Sequence, residues 1–223
     1  MSRITVKRSR MLKYFIDTTA NIIEENGIDG VTIRKIAELS GYNSATIYNY
    51  FENLDHLIFL ASLRFIKPYA TSVADYAKKG KNSLEKNILI WEYFCLYSFK
   101  NPELYNAIFF ARLSSPLDHY ITEYYSLYPD ELVQDDSNVS SMLTKQNIYE
   151  RAHVILEPCV DEGFLSEDAL DPLNEMIMFI YKGMLQQILN KELTEPLEIT
   201  VARAITYIKI CYNGFLLKGH LTL

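Results

Sequence analysis

Polar side chains without charge dominate the stretch 44–51. Hydroxyl, phenol and amide groups are supplied there by Thr46, Tyr48, Asn49 and Tyr50. Such groups hydrogen-bond to phosphate oxygens and to base edges; Asn49 suits adenine, and the methyl group of Thr46 suits that of thymine. The chemistry that this stretch suggests is therefore recognition of a nucleic acid.

Two short helices separated by a tight turn are predicted to position this polar face. Thr32 is expected to be an N-cap, and Gly41, which adopts a positive φ at little cost, breaks the first helix. Either Asn43 or Ser44 is expected to cap the second helix. The positions predicted to face inward recur at helical spacing and are Ile33, Ile36, Ala37, Ser40, Ala45, Ile47 and Phe51. This order of parts predicts a helix-turn-helix reader of DNA.

Longer helices are predicted on both sides of the reader. From about Arg8 to Asn26, apolar residues recur at helical spacing, and Gly27 follows as a stop signal. A connecting helix is predicted from Leu54 toward Ala77, interrupted at Pro68, because proline removes one helical hydrogen bond and usually bends the helix. Pro68 is interpreted either as a hinge, or as a static bend or helix end.

The segment IRKIAELSGYNSATIYNYFENLDHL, residues 33–57, resembles the N-terminal signature of the tetracycline-repressor (TetR) family of bacterial transcriptional regulators. The positions that carry the resemblance are Gly27, Thr32, Ile36, Ala37, Gly41, Thr46, Ile47, Tyr48, Tyr50, Phe51 and Leu57. They cover roughly the first quarter of the chain, and the remainder resembles the family only in length and helical character. The resemblance implies an N-terminal DNA reader followed by an effector-binding and dimerisation domain.

Two positions depart from the family's pattern. Ala45 stands where the family usually has Gly or a similar small residue, and Leu54 stands where it has Lys. In the family that Lys lies at the start of the next helix, near a DNA phosphate, so Leu54 removes one expected backbone contact. Two interpretations stay open: a DNA-binding regulator, or a TetR-like protein that has lost DNA binding and acts as a protein-interaction partner or coactivator.

Charge is distributed unevenly along the chain, whose net charge is -6. Residues 1–57 hold seven basic and seven acidic residues, whereas the remainder holds fifteen basic and twenty-one acidic ones. Five basic residues precede the first acid, Asp17, which predicts an arm along DNA phosphates; a frayed, solvated terminus is the alternative. The predicted DNA-binding residues are Arg8, Arg10, Thr32, Lys35, Ser44, Thr46, Tyr48, Asn49 and Tyr50.

The pattern after the reader is helical throughout, so the fold is predicted to be all-α. Helix starts are indicated at Ser83, at Asn101-Pro102 and at Asp171-Pro172, where a capping residue precedes proline in the last two cases. We expect a helix-turn-helix domain at residues 1–54, a connecting helix at 55–77, and a larger helical ligand-binding and dimerisation domain at 78–223.

The last two helices carry the strongest pattern outside the reader. Residues 176–189 are apolar nearly all the way round, and the final helix, about residues 197–213, is also rich in apolar positions. These two helices from each of two chains are predicted to form a four-helix homodimer interface; a buried central helix in a monomer is the alternative. The predicted interface residues are Ile177, Ile180, Met184, Ile188, Ile205, Ile208 and Tyr212.

An effector pocket is implied mainly by the resemblance. Aromatic residues are concentrated in the middle helices, and aromatic walls with few polar groups suit an apolar or planar small molecule. Trp91, Phe109 and Tyr124 are the predicted lining residues, although an aromatic stripe at helical spacing is more often part of a core.

Composition and the absence of motifs narrow the function classes. Apolar residues make up 49% and charged residues 22% of the chain, as in ordinary globular proteins. No apolar run approaches the roughly eighteen residues of a membrane span, and no secretory signal is expected. Three widely spaced cysteines form no metal-binding pair, so no metal or other cofactor is expected.

No phosphate-binding loop, nucleophile elbow or motif-placed pair of carboxylates indicates an enzyme. The combined prediction is a cytoplasmic repressor that binds double-stranded DNA as a homodimer and is released by an unknown small-molecule effector.

Overall fold

A computed structural model describes residues 3–110, 117–131, 142, 145 and 147–222. No β-strand occurs in these ranges, and the predicted all-α fold is confirmed. The α-helices with defined bounds are α1 (Arg3–Asn26), α2 (Ile33–Ser40), α3 (Ser44–Tyr48), α4 (Leu54–Ala77), α5 (Ser83–Lys100), α6 (Pro102–Phe110), α7 (Leu117–Leu127), α8 (Ile148–Asp161), α9 (Leu170–Leu189) and α10 (Leu197–Phe215). Short 3-10 helices cover Ile28–Gly30, Pro129–Glu131 and Glu167–Ala169.

The first of two compact units comprises residues 1–67 and 103–132. In this unit α1 packs against α2, and α2 packs against α3. Phe15, Ile36, Ile47 and Phe51 are buried and supply its core. Helices of five and eight residues are too short to be stable alone in water, so this shared core holds them in place.

The second unit comprises residues 68–102 and 133–223. Here α5 packs against α8 and α10, and α9 packs against α8 and α10. A polar link joins three of these helices at Asn87, whose side-chain NH₂ donates to the Ile155 carbonyl at 2.6 Å while its oxygen accepts from the Tyr212 hydroxyl. Because all three groups are buried, these bonds satisfy polar atoms that would otherwise be costly in an apolar core.

The grouping of contacts differs from the domain boundaries expected from sequence. Residues 103–132 group with the reader rather than with the second unit, and the division within α4 falls between Lys67 and Pro68. The functional division at residues 54 and 77 stays a prediction.

Two helix boundaries refine the sequence analysis. Helix α4 continues through Pro68, and a hinge role for that proline stays a prediction. Helix α9 begins at Leu170 rather than at Asp171-Pro172, because the 3-10 turn Glu167–Ala169 leads directly into it. Pro172 still lies in the first helical turn, where its missing N–H removes no helical hydrogen bond.

The cysteines are free and buried. Burial raises the pKa of the Cys159 thiol to about 11 and also raises the pKa of Cys95. Both thiols therefore stay protonated near neutral pH and are weak nucleophiles.

Among the described residues, one helix, Leu54–Ala77, is long and apolar enough to cross a membrane on length and composition alone. That is weak evidence, since the core helix of a soluble protein meets the same criteria.

Candidate nucleic-acid interface

The turn before the recognition helix is built as the sequence predicts. The Thr32 hydroxyl accepts a hydrogen bond from the Lys35 amide at 3.1 Å and caps α2. Gly41 ends α2 with φ of 73°, a left-handed conformation that strains residues with a Cβ. These two residues fix the direction in which the chain leaves α2 and enters the recognition helix.

Asn43 caps α3, the predicted recognition helix. Its side-chain oxygen accepts hydrogen bonds from the Thr46 amide at 2.8 Å and from the Thr46 hydroxyl at 3.0 Å. Ser44 is then the first helical residue and is exposed. Of the two candidate caps, the structure thus selects Asn43.

The outward face of α3 is polar, with Tyr48 52% exposed and Asn49 also exposed. Ile47 and Phe51 are buried beneath it, as predicted. Ala45 is exposed, so its predicted inward position is wrong; α3 has only five residues, and its buried face is supplied by Ile47 alone.

Tyr50 is half-buried because it packs on helix α1. Its ring centroid lies 5.8 Å from that of Phe15, and the Arg8 guanidinium lies 5.3 Å above the same ring. Arg8 also donates a hydrogen bond to the Asn49 carbonyl at 3.3 Å. Arg8 therefore ties α1 to the end of the recognition helix.

The remaining basic residues of the predicted interface differ in their contacts. Arg10 is exposed and forms no hydrogen bond or ion pair with the part of the chain that is described. The Lys35 ammonium contacts the side-chain oxygen of Asn26 at the end of α1. Helix α1 already begins at Arg3, so the predicted arm is helical from that residue onward.

The nine predicted DNA-binding residues lie on α1, α2 and α3 or at their ends. Exposed members are Arg8, Arg10, Thr32, Ser44, Tyr48 and Asn49, and partly buried members are Lys35, Thr46 and Tyr50. All nine therefore keep some access to solvent, and all belong to the first unit.

Tyr42 is a candidate contact that sequence reasoning missed. It is 41% exposed, directly follows the Gly41 turn, and its ring lies 5.5 Å from that of Phe15. Its hydroxyl contacts the Met11 sulfur at 3.6 Å. The position of Tyr42 directly after the turn could have indicated a DNA contact, but an aromatic ring at this position is equally consistent with packing in the core.

Leu54 begins α4 at the position where the family has Lys. The side-chain oxygen of the preceding Asn53 accepts from the His56 amide at 2.8 Å, so Asn53 caps this helix. Leu54 is partly buried and adds no positive charge beside the cap.

A second surface, the apolar face, lies on α9 and α10. Five of the seven predicted dimer residues are buried inside the chain itself, namely Ile177, Met184, Ile205, Ile208 and Tyr212, whereas Ile180 and Ile188 are partly exposed. The exposed apolar residues on these helices are instead Met176, Phe179, Ile199, Tyr207 and Ile210. We define these five residues as the apolar face.

The predicted effector residues divide between the two units. Phe109 is partly buried and Tyr124 fully buried in the first unit, whereas Trp91 belongs to the second. Trp91 is only 3% exposed, and its ring lies 5.9 Å from both Phe94 and Tyr181. Within the described chain the Trp91 indole N–H has no hydrogen-bond partner.

Tyr181 also belongs to the aromatic cluster around Trp91, although it is not among the predicted effector residues. It is fully buried, and its ring lies 5.0 Å from Phe94 and stacks on Phe99 at 5.9 Å. Tyr181 lies in the segment 176–189, which the sequence pattern assigns to the dimer interface, so its place in the aromatic cluster is not predicted.

A cleft of about 570 Å³ opens on the second unit between α8 and the start of α9. Tyr149, His153 and Asn174 line it together with acidic residues. None of the three predicted effector residues lines this cleft.

Comparison with known proteins finds a family match in the region of the predicted reader. Residues 15–60 match the family described as bacterial regulatory proteins, tetR family. This range runs from Phe15, in the core of the first unit, through the recognition helix and into α4. No curated protein sequence matches the chain significantly.

Solved structures share the fold along nearly the whole chain. A TetR-family transcriptional regulator from Syntrophomonas wolfei is 19% identical, with a TM-score of 0.56 over 96% of this chain and 100% of that one. RolR in complex with resorcinol is 15% identical, with a TM-score of 0.57 over 98% of both chains. FadR from Bacillus subtilis in complex with stearoyl-CoA is 19% identical, with a TM-score of 0.54 over 91% of this chain and 98% of that one.

These likenesses show a common fold. The match to residues 15–60 shows that this part of the chain is similar to bacterial regulatory proteins of the tetR family, in agreement with the resemblance found in the sequence.

Proposed function

We propose that the chain is a TetR-family transcription regulator, and specifically a ligand-responsive repressor that binds a palindromic DNA operator through residues 32–51 as a homodimer. A small molecule bound in the helical region after the reader would release it from DNA. The observation that carries the proposal is the exposed polar face of Tyr48 and Asn49, held on a capped helix inside the family-matched region.

Recognition of DNA by this face follows from its chemistry. The side chains of Ser44, Tyr48 and Asn49 are exposed and can reach phosphate oxygens and base edges in the major groove. No residue from 44 to 51 is charged, so affinity must come largely from basic residues nearby, such as the exposed Arg10. The polar face would recognise the DNA sequence, and the surrounding basic residues would bind the DNA phosphates.

Dimerisation is supported by the apolar face on α9 and α10. Phe179 is 62% exposed, and Ile199 and Ile210 are each about half exposed. A second copy that covers this face would remove its apolar side chains from water, which is favourable. Two readers related by a two-fold axis could then occupy major grooves roughly 34 Å apart, or a larger multiple, which predicts the palindrome.

An apolar or planar effector is consistent with the aromatic cluster around Trp91 and Tyr181. Two proteins of the same fold are solved with ligands, resorcinol in RolR and stearoyl-CoA in FadR. The unpaired Trp91 indole N–H is a donor that such a ligand could engage. We further propose that the protein acts in the cytoplasm, where its operator lies, and that it has no catalytic role.

A mobility-shift assay with the DNA flanking its own gene tests the proposal. Wild-type protein is expected to shift this DNA specifically, and Tyr48→Ala is expected to weaken binding about tenfold, since a direct contact contributes roughly 1–3 kcal/mol. Tyr149→Ala, which removes a similarly exposed tyrosine from the second unit, serves as the matched control and should bind like wild type. Equal affinities for all three proteins would contradict the assignment of the recognition face.

The alternative function is a TetR-like interaction partner or coactivator without DNA binding. Leu54 in place of Lys and the uncharged recognition helix are the features that favour it. Leu54→Lys separates the two functions, because an added ammonium near a phosphate should raise the affinity of a DNA-binding protein several-fold. A protein that binds no DNA with either residue would support the alternative.

A further inference from the structure

Helix α7 belongs to the first unit and contacts the end of the reader. Tyr120 of α7 is 1% exposed, and its hydroxyl donates to the Glu52 carboxylate at 2.8 Å. Glu52 directly follows Phe51, whose side chain is buried in the reader core. This hydrogen bond joins α7 to the turn between the recognition helix and α4.

His56 forms a second connection at the same place. The Glu52 amide donates to its Nδ1 at 3.4 Å, whereas its Nε2 lies 3.5 Å from the Glu123 carboxylate of α7 and makes no hydrogen bond within the described chain. The imidazole ring is buried between the rings of Phe51 and Tyr120, with centroids 5.6 and 4.5 Å away. Helix α7 therefore contacts Glu52, in the turn after the recognition helix, and also His56, the ring that accepts the hydrogen bond from the Glu52 amide.

The other end of α7 is connected to α1. Tyr128, the residue after the helix end, donates its hydroxyl to Asp17 at 2.8 Å, and Arg64 of α4 pairs with the same carboxylate oxygen at 2.7 Å. Lys13 and Arg64 both lie over the Tyr128 ring, at 5.1 and 5.5 Å. Asp17 and Lys13 belong to the helix that carries Arg8 and Arg10.

We propose that Tyr120 is a positioning residue for DNA recognition. Tyr120 contacts none of the predicted DNA-binding residues. It holds Glu52 through its hydroxyl and His56 through its ring, and thereby fixes the turn after Phe51 in which the recognition helix ends. A binding face works only when its supporting residues fix it to a fraction of an ångström, and loss of such support weakens binding without removing a contact. This inference rests on the proposed DNA-binding function.

A double-mutant cycle on the Tyr120–Glu52 hydrogen bond tests the role in DNA binding. Tyr120→Phe removes only the hydroxyl and keeps the ring, and Glu52→Ala removes its acceptor at an exposed position that should not impair folding. Each change is expected to weaken operator binding about three- to tenfold, and the double variant should bind no worse than either one. Thr122→Ala, an exposed hydroxyl on the same helix, is the matched control and should bind like wild type.

A purely structural hydrogen bond would behave differently in this cycle. It would lower the melting temperature while folded Tyr120→Phe protein bound the operator as tightly as the control. That result, or additive losses in the double variant, would overturn the proposal.

Amide hydrogen exchange tests the same contact without DNA. In Tyr120→Phe the amides of Glu52 and His56 are expected to exchange at least about threefold faster than in Thr122→Ala, because the turn is held less firmly. Equal exchange rates would refute the positioning role even if Tyr120→Phe binds the operator more weakly. If exchange is faster in Tyr120→Phe but the wild-type protein binds no DNA, Tyr120 still supports the turn at Glu52, and the proposed DNA-binding function is contradicted instead.

Discussion

Two exposed surfaces differ in how favourable their contact with water is. One is the recognition face, formed by the exposed polar side chains of residues 44–50, and the other is the apolar face on α9 and α10. Residues 44–50 present hydroxyl, phenol and amide groups, whereas α9 and α10 present side chains such as Phe179 and Ile210. A polar face is stable in water and gains only from a partner with matching hydrogen-bond groups. An apolar face is unfavourable in water until it is covered. The first face therefore suits reversible, selective binding, and the second suits a lasting contact between copies.

The largest effect is expected from a charge on the apolar face. Phe179→Asp should weaken self-association about a hundredfold or more, because a buried, unpaired carboxylate costs several kcal/mol. Sedimentation velocity across a concentration series measures the change. Tyr149→Asp, at an exposed aromatic position off this face, is the control. If both variants associate like wild type, α9 and α10 do not form the interface.

Neighbouring isoleucines on α10 test which side faces the core. Ile208 is 0% exposed and Ile210 is 50% exposed. Ile208→Ala should lower the free energy of unfolding by about 2–5 kcal/mol, because it leaves a cavity. Ile210→Ala, made in a variant that does not self-associate, should change the free energy of unfolding by less than about 0.5 kcal/mol. Urea denaturation of both proteins measures the difference, and equal losses would contradict the assigned orientation of α10.

A smaller effect is expected at the start of the recognition helix. Asn43→Ala should destabilise the first unit by about 1 kcal/mol, because it removes the acceptor of the Thr46 amide hydrogen bond. Ser44→Ala should be nearly neutral, since Ser44 is not the cap. Thermal unfolding compares the two variants. A larger loss at Ser44 would reassign the cap.

The smallest effect concerns the basic residues beside the recognition face. Arg10→Gln should reduce the slope of log affinity against log salt concentration by about one, as expected for one lost phosphate contact. Arg8→Gln should weaken binding with less change in slope, because Arg8 supports Asn49 and Tyr50 within the protein. Operator titrations at several salt concentrations separate the two roles. Equal slope changes would make Arg8 a phosphate contact as well.

The reader could be predicted in detail because its signals are local. Thr32 and Gly41 each act within a few residues, so the cap and the turn follow from residue type and spacing. The predicted inward position of Ala45 is wrong because α3 has only five residues. Less than two turns of helix define no reliable periodicity, and packing against α1 decides which side chains stay exposed.

The orientation of α9 and α10 could not be predicted in the same way. A helix that is apolar nearly all round contains no periodic signal for which side meets its own core. Contacts with α5 and α8 decide this, and they bury Ile177 and Ile208 while leaving Phe179 and Ile210 outside. The grouping of residues 103–132 with the reader likewise depends on contacts between residues far apart in sequence, such as Tyr120 with Glu52.

Trp91 also gives the second unit an optical reporter of its own. It is the chain's single tryptophan, and its buried ring lies beside Phe94 and Tyr181. Emission excited at the red edge of indole absorption therefore comes from one site in one unit. A molecule that enters the aromatic cluster should shift or quench that emission, whereas a molecule bound elsewhere on the surface should leave it nearly unchanged. Effectors can thus be screened on unlabelled protein before any operator is known.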